Sequence, residues 1–227
     1  MLTNQHHLRP WIAGLLLGVA GTSIAATPDP AAGARIASAG IAGGAPACAS
    51  CHGSQGQGGG AFPHLAGTGA AYLREQLDAF AAGTRKNAIM QPIAQALAPE
   101  QRAQVAAFYA ALPATVHASD RAAQQPSDAG AWLATRGRWA DELPACAQCH
   151  GPGGSGVGAS FPPLAGQPTG YIAQQLKAWQ DGSRPAGPLG LMQAIARKLK
   201  DADVQAVSDY YAGIGNPAPG VNAKGAQ

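Results

Sequence analysis

The chain has 227 residues, a formal charge of +3, 46% hydrophobic and only 12% charged residues, with 31 glycines and 18 prolines. That is too apolar for a disordered chain and too rich in turn formers for a long coiled coil. Bases and acids nearly balance, five to four over residues 27–112 and eight to seven over 127–227, so there is no basic stripe for nucleic acid. Aromatics make up 6%, which implies a thin core for each domain, one that a bulky apolar cofactor would complete.

In chain order, residues 1–26 come first and read as a Sec-type signal peptide. Arg9, with His6 and His7, opens a basic start. The apolar run Trp11 to Ala20 follows, then the small residues Gly21 to Ala26, with cleavage expected after Ala25 or Ala26. The alternative is an uncleaved anchor, for which the run is short. The expectation is export to the periplasm, with at most peripheral membrane association.

A long internal repeat then sets the architecture. Pro46-Ala47-Cys48-Ala49-Ser50-Cys51-His52-Gly53 returns as Pro144-Ala145-Cys146-Ala147-Gln148-Cys149-His150-Gly151. Phe62-Pro63-His64-Leu65-Ala66-Gly67 returns as Phe161-Pro162-Pro163-Leu164-Ala165-Gly166. Tyr72, Gln76, Leu77, Gly83 and Arg85 match Tyr171, Gln175, Leu176, Gly182 and Arg184; Met90-Gln91-Pro92-Ile93-Ala94 matches Met192-Gln193-Ala194-Ile195-Ala196. Two tandem domains are therefore expected, over 27–112 and 130–215, joined by a linker over 113–129 and followed by a tail over 216–227.

Each copy predicts helices. Thr68 to Gly83 carries Tyr72, Leu73, Gln76, Leu77 and Phe80 at helical spacing, and its partner carries Tyr171, Ile172, Leu176 and Trp179 before Gly182. Pro99 suits the first turn of a helix to Leu112, and Asp201 is placed to cap one to about Gly213. Val105, Phe108, Tyr109 and Leu112, like Val204, Val207, Tyr210 and Tyr211, are expected to face inward. No run of alternating β-branched residues predicts a strand, so the fold class is all-α.

All four cysteines lie in two Cys-x-x-Cys-His motifs, the attachment signal of haem c. Two thiols three residues apart on a helical turn can each form a thioether to a haem vinyl group, and the adjoining histidine presents its imidazole to the iron. A closed zinc site would need four ligands, and no further Cys-His pair exists. The cofactor-binding residues are thus Cys48, Cys51, Cys146 and Cys149, for two covalent haem c groups. Apart from Met1, only Met90 and Met192 are methionines. They hold equivalent places in the repeat, each between two helical segments, and thioether sulfur raises the potential of a haem used for electron transfer. The axial pairs are expected to be His52 with Met90 and His150 with Met192.

These motifs resemble class I cytochromes c, and their tandem arrangement resembles the dihaem cytochrome c4 family over nearly all of residues 30–215. The resemblance implies two helical domains, each around one covalent haem. It further implies that Pro63 and Pro162 offer their backbone carbonyls to the proximal histidines, against the plainer reading of prolines that stiffen glycine-rich loops. The glycines of 56–60 and 151–158 are expected to let backbone pass close to a haem edge. His64, whose counterpart is Pro163, is not expected to ligate, and His117 is expected in the linker. Trp132, Trp139 and Trp179 are read as packing residues. Arg85 and Arg184 either pair with propionates or lie at the surface.

The leading functional expectation is an electron carrier that is not itself an enzyme. The resemblance implies redox partners such as a quinol-oxidising complex and a terminal oxidase. An electron-accepting subunit of a dehydrogenase is the second reading. A dihaem peroxidase is the third, disfavoured because both irons have a candidate methionine.

Overall fold

The computed structural model describes residues 27–116 and 126–215. Residues 1–26, read as a signal peptide, lie outside them, as do His117 and the tail. Ten helices run along the described chain and fall into two matching sets. The first is α1 Pro30–Ala39, α2 Ala49–His52, α3 Ala70–Ala81, α4 Met90–Gln95 and α5 Pro99–Ala111. The second is α6 Ala129–Thr135, α7 Ala147–His150, α8 Thr169–Gln180, α9 Leu191–Lys198 and α10 Asp201–Ala212. Among the described residues, β-pairing is limited to isolated bridges such as Gly59 with Phe62 and Val157 with Phe161. The all-α expectation holds.

Each half has its own core. In the first, Ile36, Leu73, Leu97, Val105 and Tyr109 come together; in the second, Leu133, Ile172, Leu176, Leu199, Val204, Val207, Tyr211 and Ile214. α5 packs on α1 and α3, and α10 packs in the same way on α6 and α8. Two glycines set how closely these helices cross. A Cβ on Gly33 would lie 2.0 Å from the Gln104 carbonyl oxygen, and one on Gly130 would lie 2.2 Å from that of Ala206. Backbone cannot yield as a side-chain tip can. Gly33→Ala or Gly130→Ala should therefore each force its helix pair apart, at about 3 kcal/mol, the upper end for overpacking. A thermal melt followed by circular dichroism checks this; roughly 10 °C or more of lost melting temperature is expected.

Several details differ from the sequence reading. Helices α1 and α6 carry too few large apolar residues to announce themselves by periodicity. Their caps, Asp29 accepting from Ala31 N–H and Asp128 accepting from Ala131 N–H, are what fix them. Asp201 does not cap α10 but opens it; the carboxylate of Asp203 accepts from Lys200 N–H at 2.9 Å instead. Trp132 and Trp139 are 54% and 62% exposed, so they are not packing residues. Trp179 does pack, against the second core. The glycine-rich loops approach tyrosines: a Cβ on Gly56 would meet the Tyr109 ring at 2.8 Å, and one on Gly154 the Tyr211 ring at 2.6 Å.

Candidate haem sites and the seam between them

The short helices α2 and α7 bring each Cys-x-x-Cys-His motif onto a single turn. The chain leaves that turn through Gly53 and Gly151, at φ 79° and 78°, where a side chain would be strained. All four cysteines are free. Burial raises the Cys48 thiol above its ordinary value and takes Cys146 up to about 11, so both stand protonated at neutral pH. No cluster of three or more His, Cys, Asp or Glu side chains suited to a metal ion occurs among the described residues.

His52 and His150 are both 6% exposed. Their Nδ1–H groups donate to the carbonyls of Pro63 at 2.9 Å and Pro162 at 2.8 Å. A carbonyl can only accept, so Nδ1 carries the proton and Nε2 keeps its lone pair. Burial lowers the basicity of both rings, and the proline carbonyls only partly offset that. Each imidazole is therefore a neutral, oriented σ-donor, which is what an iron ligand must be. Phe62 and Phe161 stand edge-on to the two rings, with centroids 6.1 and 6.3 Å apart. The carbonyl role that the resemblance implied for Pro63 and Pro162 is present in both halves.

Met90 and Met192 lie between the longer helices of each half, as expected, but within short helices that the sequence did not reveal. They occupy the first turns of α4 and α9, and both are half-buried. The Asn87 carboxamide accepts from the N–H groups of Ile89 and Met90 at 3.0 and 2.9 Å, fixing the entry to α4. Met192 packs against the second core.

The seam between the halves has an approximate twofold pattern built from repeated residues. Arg85 donates to Gln76 of its own half at 2.9 Å, and to Gln175 at 2.7 Å and the Tyr171 hydroxyl at 3.3 Å across the seam. Arg184 mirrors it, donating to Gln175 at 3.0 Å, Gln76 at 2.8 Å and the Tyr72 hydroxyl at 3.0 Å. Each guanidinium also lies over an aromatic ring of its own half, Phe80 at 4.4 Å and Trp179 at 3.9 Å. At 7% and 4% exposure these are not surface arginines. Every partner named is neutral, so two buried positive charges share the seam without a carboxylate. Buried cations need a compensating anion. The propionate groups of haem are of that kind, so the residues present fit the cofactor at the seam as well as at the cysteines.

The Cytochrome c family matches residues 30–112 and 134–213. The chain belongs to the cytochrome c family. It is 47% identical over 208 residues to a thiosulfate dehydrogenase electron acceptor of Stutzerimonas stutzeri strain A1501, covering 90% of this chain and 96% of that protein. It is 36% identical over 212 residues to cytochrome c4 of Azotobacter vinelandii, covering 88% and 95%. Among solved structures, reduced cytochrome c4 from Pseudomonas stutzeri superposes with a TM-score of 0.68 at 30% identity, covering 83% of this chain and all of that one. A thiosulfate dehydrogenase from Marichromatium purpuratum superposes with a TM-score of 0.73 at 41% identity over 82% of this chain. This chain spans only 40% of that larger protein. With two tandem domains of this family and a Cys-x-x-Cys-His site in each, the chain is a dihaem c-type cytochrome and an electron carrier.

One contact between the halves has no signal in the repeat. Gln167 occupies the place of Thr68, and its buried carboxamide both accepts from His64 N–H at 3.0 Å and donates to His64 C=O at 3.1 Å. The only hint in the sequence is that the repeat breaks there, as it does at His64 and Pro163.

Proposed function

We propose that this cytochrome is a periplasmic electron acceptor for a thiosulfate-oxidising dehydrogenase, taking one electron at each of two irons. In this reading Cys48 and Cys51, and Cys146 and Cys149, would form the thioethers, while His52 with Met90 and His150 with Met192 would hold the two irons. The haem would supply the one-electron ferric/ferrous couple. The protein's part would be to offer each iron a neutral, oriented imidazole and a thioether, a pairing suited to transfer rather than to ligand activation.

The observation that carries the haem assignment is the repeated donation from a buried histidine Nδ1–H to a proline carbonyl, directly after two free thiols. What favours the dehydrogenase as donor is the 47% identity, over almost the whole of both chains, to a protein named for that role. A second reading rests on the relatives named cytochrome c4: a carrier from a quinol-oxidising complex to a terminal oxidase.

Mature protein should carry two haems per chain, retained through denaturation and acid–acetone extraction. Stopped-flow absorbance should show both haems reduced when a purified thiosulfate dehydrogenase and thiosulfate are added together, and neither reduced by one alone. Rapid reduction by a quinol-oxidising complex, with none by the dehydrogenase, would replace the first reading by the second.

A further inference from the structure

We propose that Gln167, in the C-terminal half, helps to set the reduction potential of the haem held in the N-terminal half, acting through the peptide bond between Pro63 and His64. The inference rests on the reading of His52 as an iron ligand. That peptide unit is engaged at both ends. Its carbonyl oxygen, on Pro63, accepts from His52 Nδ1–H at 2.9 Å, and its N–H, on His64, donates to the Gln167 carboxamide oxygen at 3.0 Å. The Gln167 carboxamide nitrogen then donates to the next carbonyl, that of His64, at 3.1 Å. Gln167 is 5% exposed, so water does not compete freely for either bond.

An amide hydrogen-bonded at its N–H places more negative charge on its oxygen, and linked bonds of this kind strengthen one another by about 10–30%. A stronger acceptor on Pro63 draws the Nδ1 proton further from His52 and makes the ring a more basic donor. A more basic proximal ligand favours the ferric state. Gln167 should thus hold the potential of the N-terminal haem below the value that Pro63 alone would give.

The C-terminal half cannot be tuned in this way. There the acceptor carbonyl of Pro162 is followed by Pro163, which has no N–H to pass the effect on. The repeat therefore gives both proximal histidines the same carbonyl contact, and the differences of His64 for Pro163 and Gln167 for Thr68 link only one of them to the neighbouring domain. Movement at this contact would reach that iron through its histidine, a route the other iron lacks.

The test uses the holoprotein in optical redox titrations, with ¹H–¹⁵N spectra of the ferrous form to follow the His52 and His150 Nδ1–H signals. Gln167→Leu keeps the bulk and removes both bonds. His64→Pro removes the N–H together with the imidazole and copies a sequence that the other half already accommodates. Each should raise the ferrous-to-ferric ratio of one haem by about two- to fourfold at fixed potential, which is ~20–35 mV at 59 mV per tenfold for one electron. The His52 Nδ1–H signal should move upfield and the His150 signal should stay. The double variant should shift no further than either single, as partners in one chain of bonds require. Gln167→Glu keeps an acceptor and should leave the potential unchanged or lower.

Unchanged potentials in both single variants overturn the proposal. So do equal shifts of both haems, which would mean a loosened seam, and a Gln167→Leu shift that His64→Pro does not share. Should Gln167→Leu fail to fold, His64→Pro alone decides. Failure of the underlying ligand assignment looks different: the wild-type N-terminal haem would then be high-spin before any variant is made.

Discussion

Replacing Met90 or Met192 by alanine should remove about half of the weak far-red band, at roughly 700 nm, that a thioether on low-spin ferric haem produces. Each substitution should also lower the potential of one haem and leave the covalent haem count at two. The thioether favours ferrous iron, whereas attachment depends on Cys48, Cys51, Cys146 and Cys149. Each variant should further gain one iron that binds carbon monoxide, where the parent binds none. The two substitutions should not be equal in stability. Met192 packs against the second core and Met90 is absent from the first. Truncating a half-buried methionine that contributes to a core costs about 1–2 kcal/mol, below the range for a fully buried one, so Met192→Ala should melt at a lower temperature than Met90→Ala. Stoichiometric carbon monoxide binding by the parent protein would show an iron that methionine does not cap, and would revive a peroxidase-like reading.

Much of this was legible in the sequence because haem attachment is written in short, local spacing. Cys48, Cys51 and His52 sit on one turn whatever surrounds them, and the second copy of the motif removes doubt about the first. The longer helices α3, α5, α8 and α10 were legible for the same reason: their apolar residues recur at helical spacing. The proline carbonyls are a different case. Nothing about Pro63 in isolation says that its carbonyl meets His52 eleven residues earlier, and only the family resemblance pointed there.

What the sequence did not reveal depends on contacts between the halves. Arg85 and Arg184 follow glycines after helices, a setting that normally means surface. Their burial comes from Tyr171, Gln175, Tyr72 and Gln76 of the opposite and own domains, residues some hundred positions apart in the chain. Gln167 is harder still, since one glutamine in a turn carries no periodicity and no motif. The short helices α4 and α9 were missed because six and eight residues give too little pattern. The sequence placed both methionines between two longer helices, where they lie, without showing that each opens a short helix of its own.

Blocking haem attachment at one site should unfold that half and leave the other folded. The variant Cys48→Ser/Cys51→Ser should carry one haem per chain and lose close to half of the helical circular dichroism signal. The reason is the thinness of the first core: of its eight buried residues, Ala37, Ala45 and Ala106 are alanines, and only Ile36, Leu73, Leu97, Val105 and Tyr109 have bulk. One buried hydrogen-bonded histidine ring and three sizeable loops cannot be ordered around so little apolar surface without the cofactor's own. The C-terminal half has the larger core, with Leu133, Leu143, Ile172, Leu176, Leu199, Val204, Val207, Tyr211 and Ile214 buried together. Of the two halves it should keep more residual helix when its own attachment is blocked by Cys146→Ser/Cys149→Ser. The seam makes the consequences mutual. Once the N-terminal half unfolds, Arg184 loses Tyr72 and Gln76, and Gln167 loses His64. Water replaces those acceptors at the uncovered Arg184, so the remaining domain loses the hydrogen bonds and packing of the seam, on the order of 1–3 kcal/mol. The surviving half should therefore melt below its temperature in the intact protein, and Arg184→Leu should lower stability in the parent while changing little in the one-haem variant. An N-terminal half that kept its full helical signal without haem would show that the apolar residues alone suffice for its core.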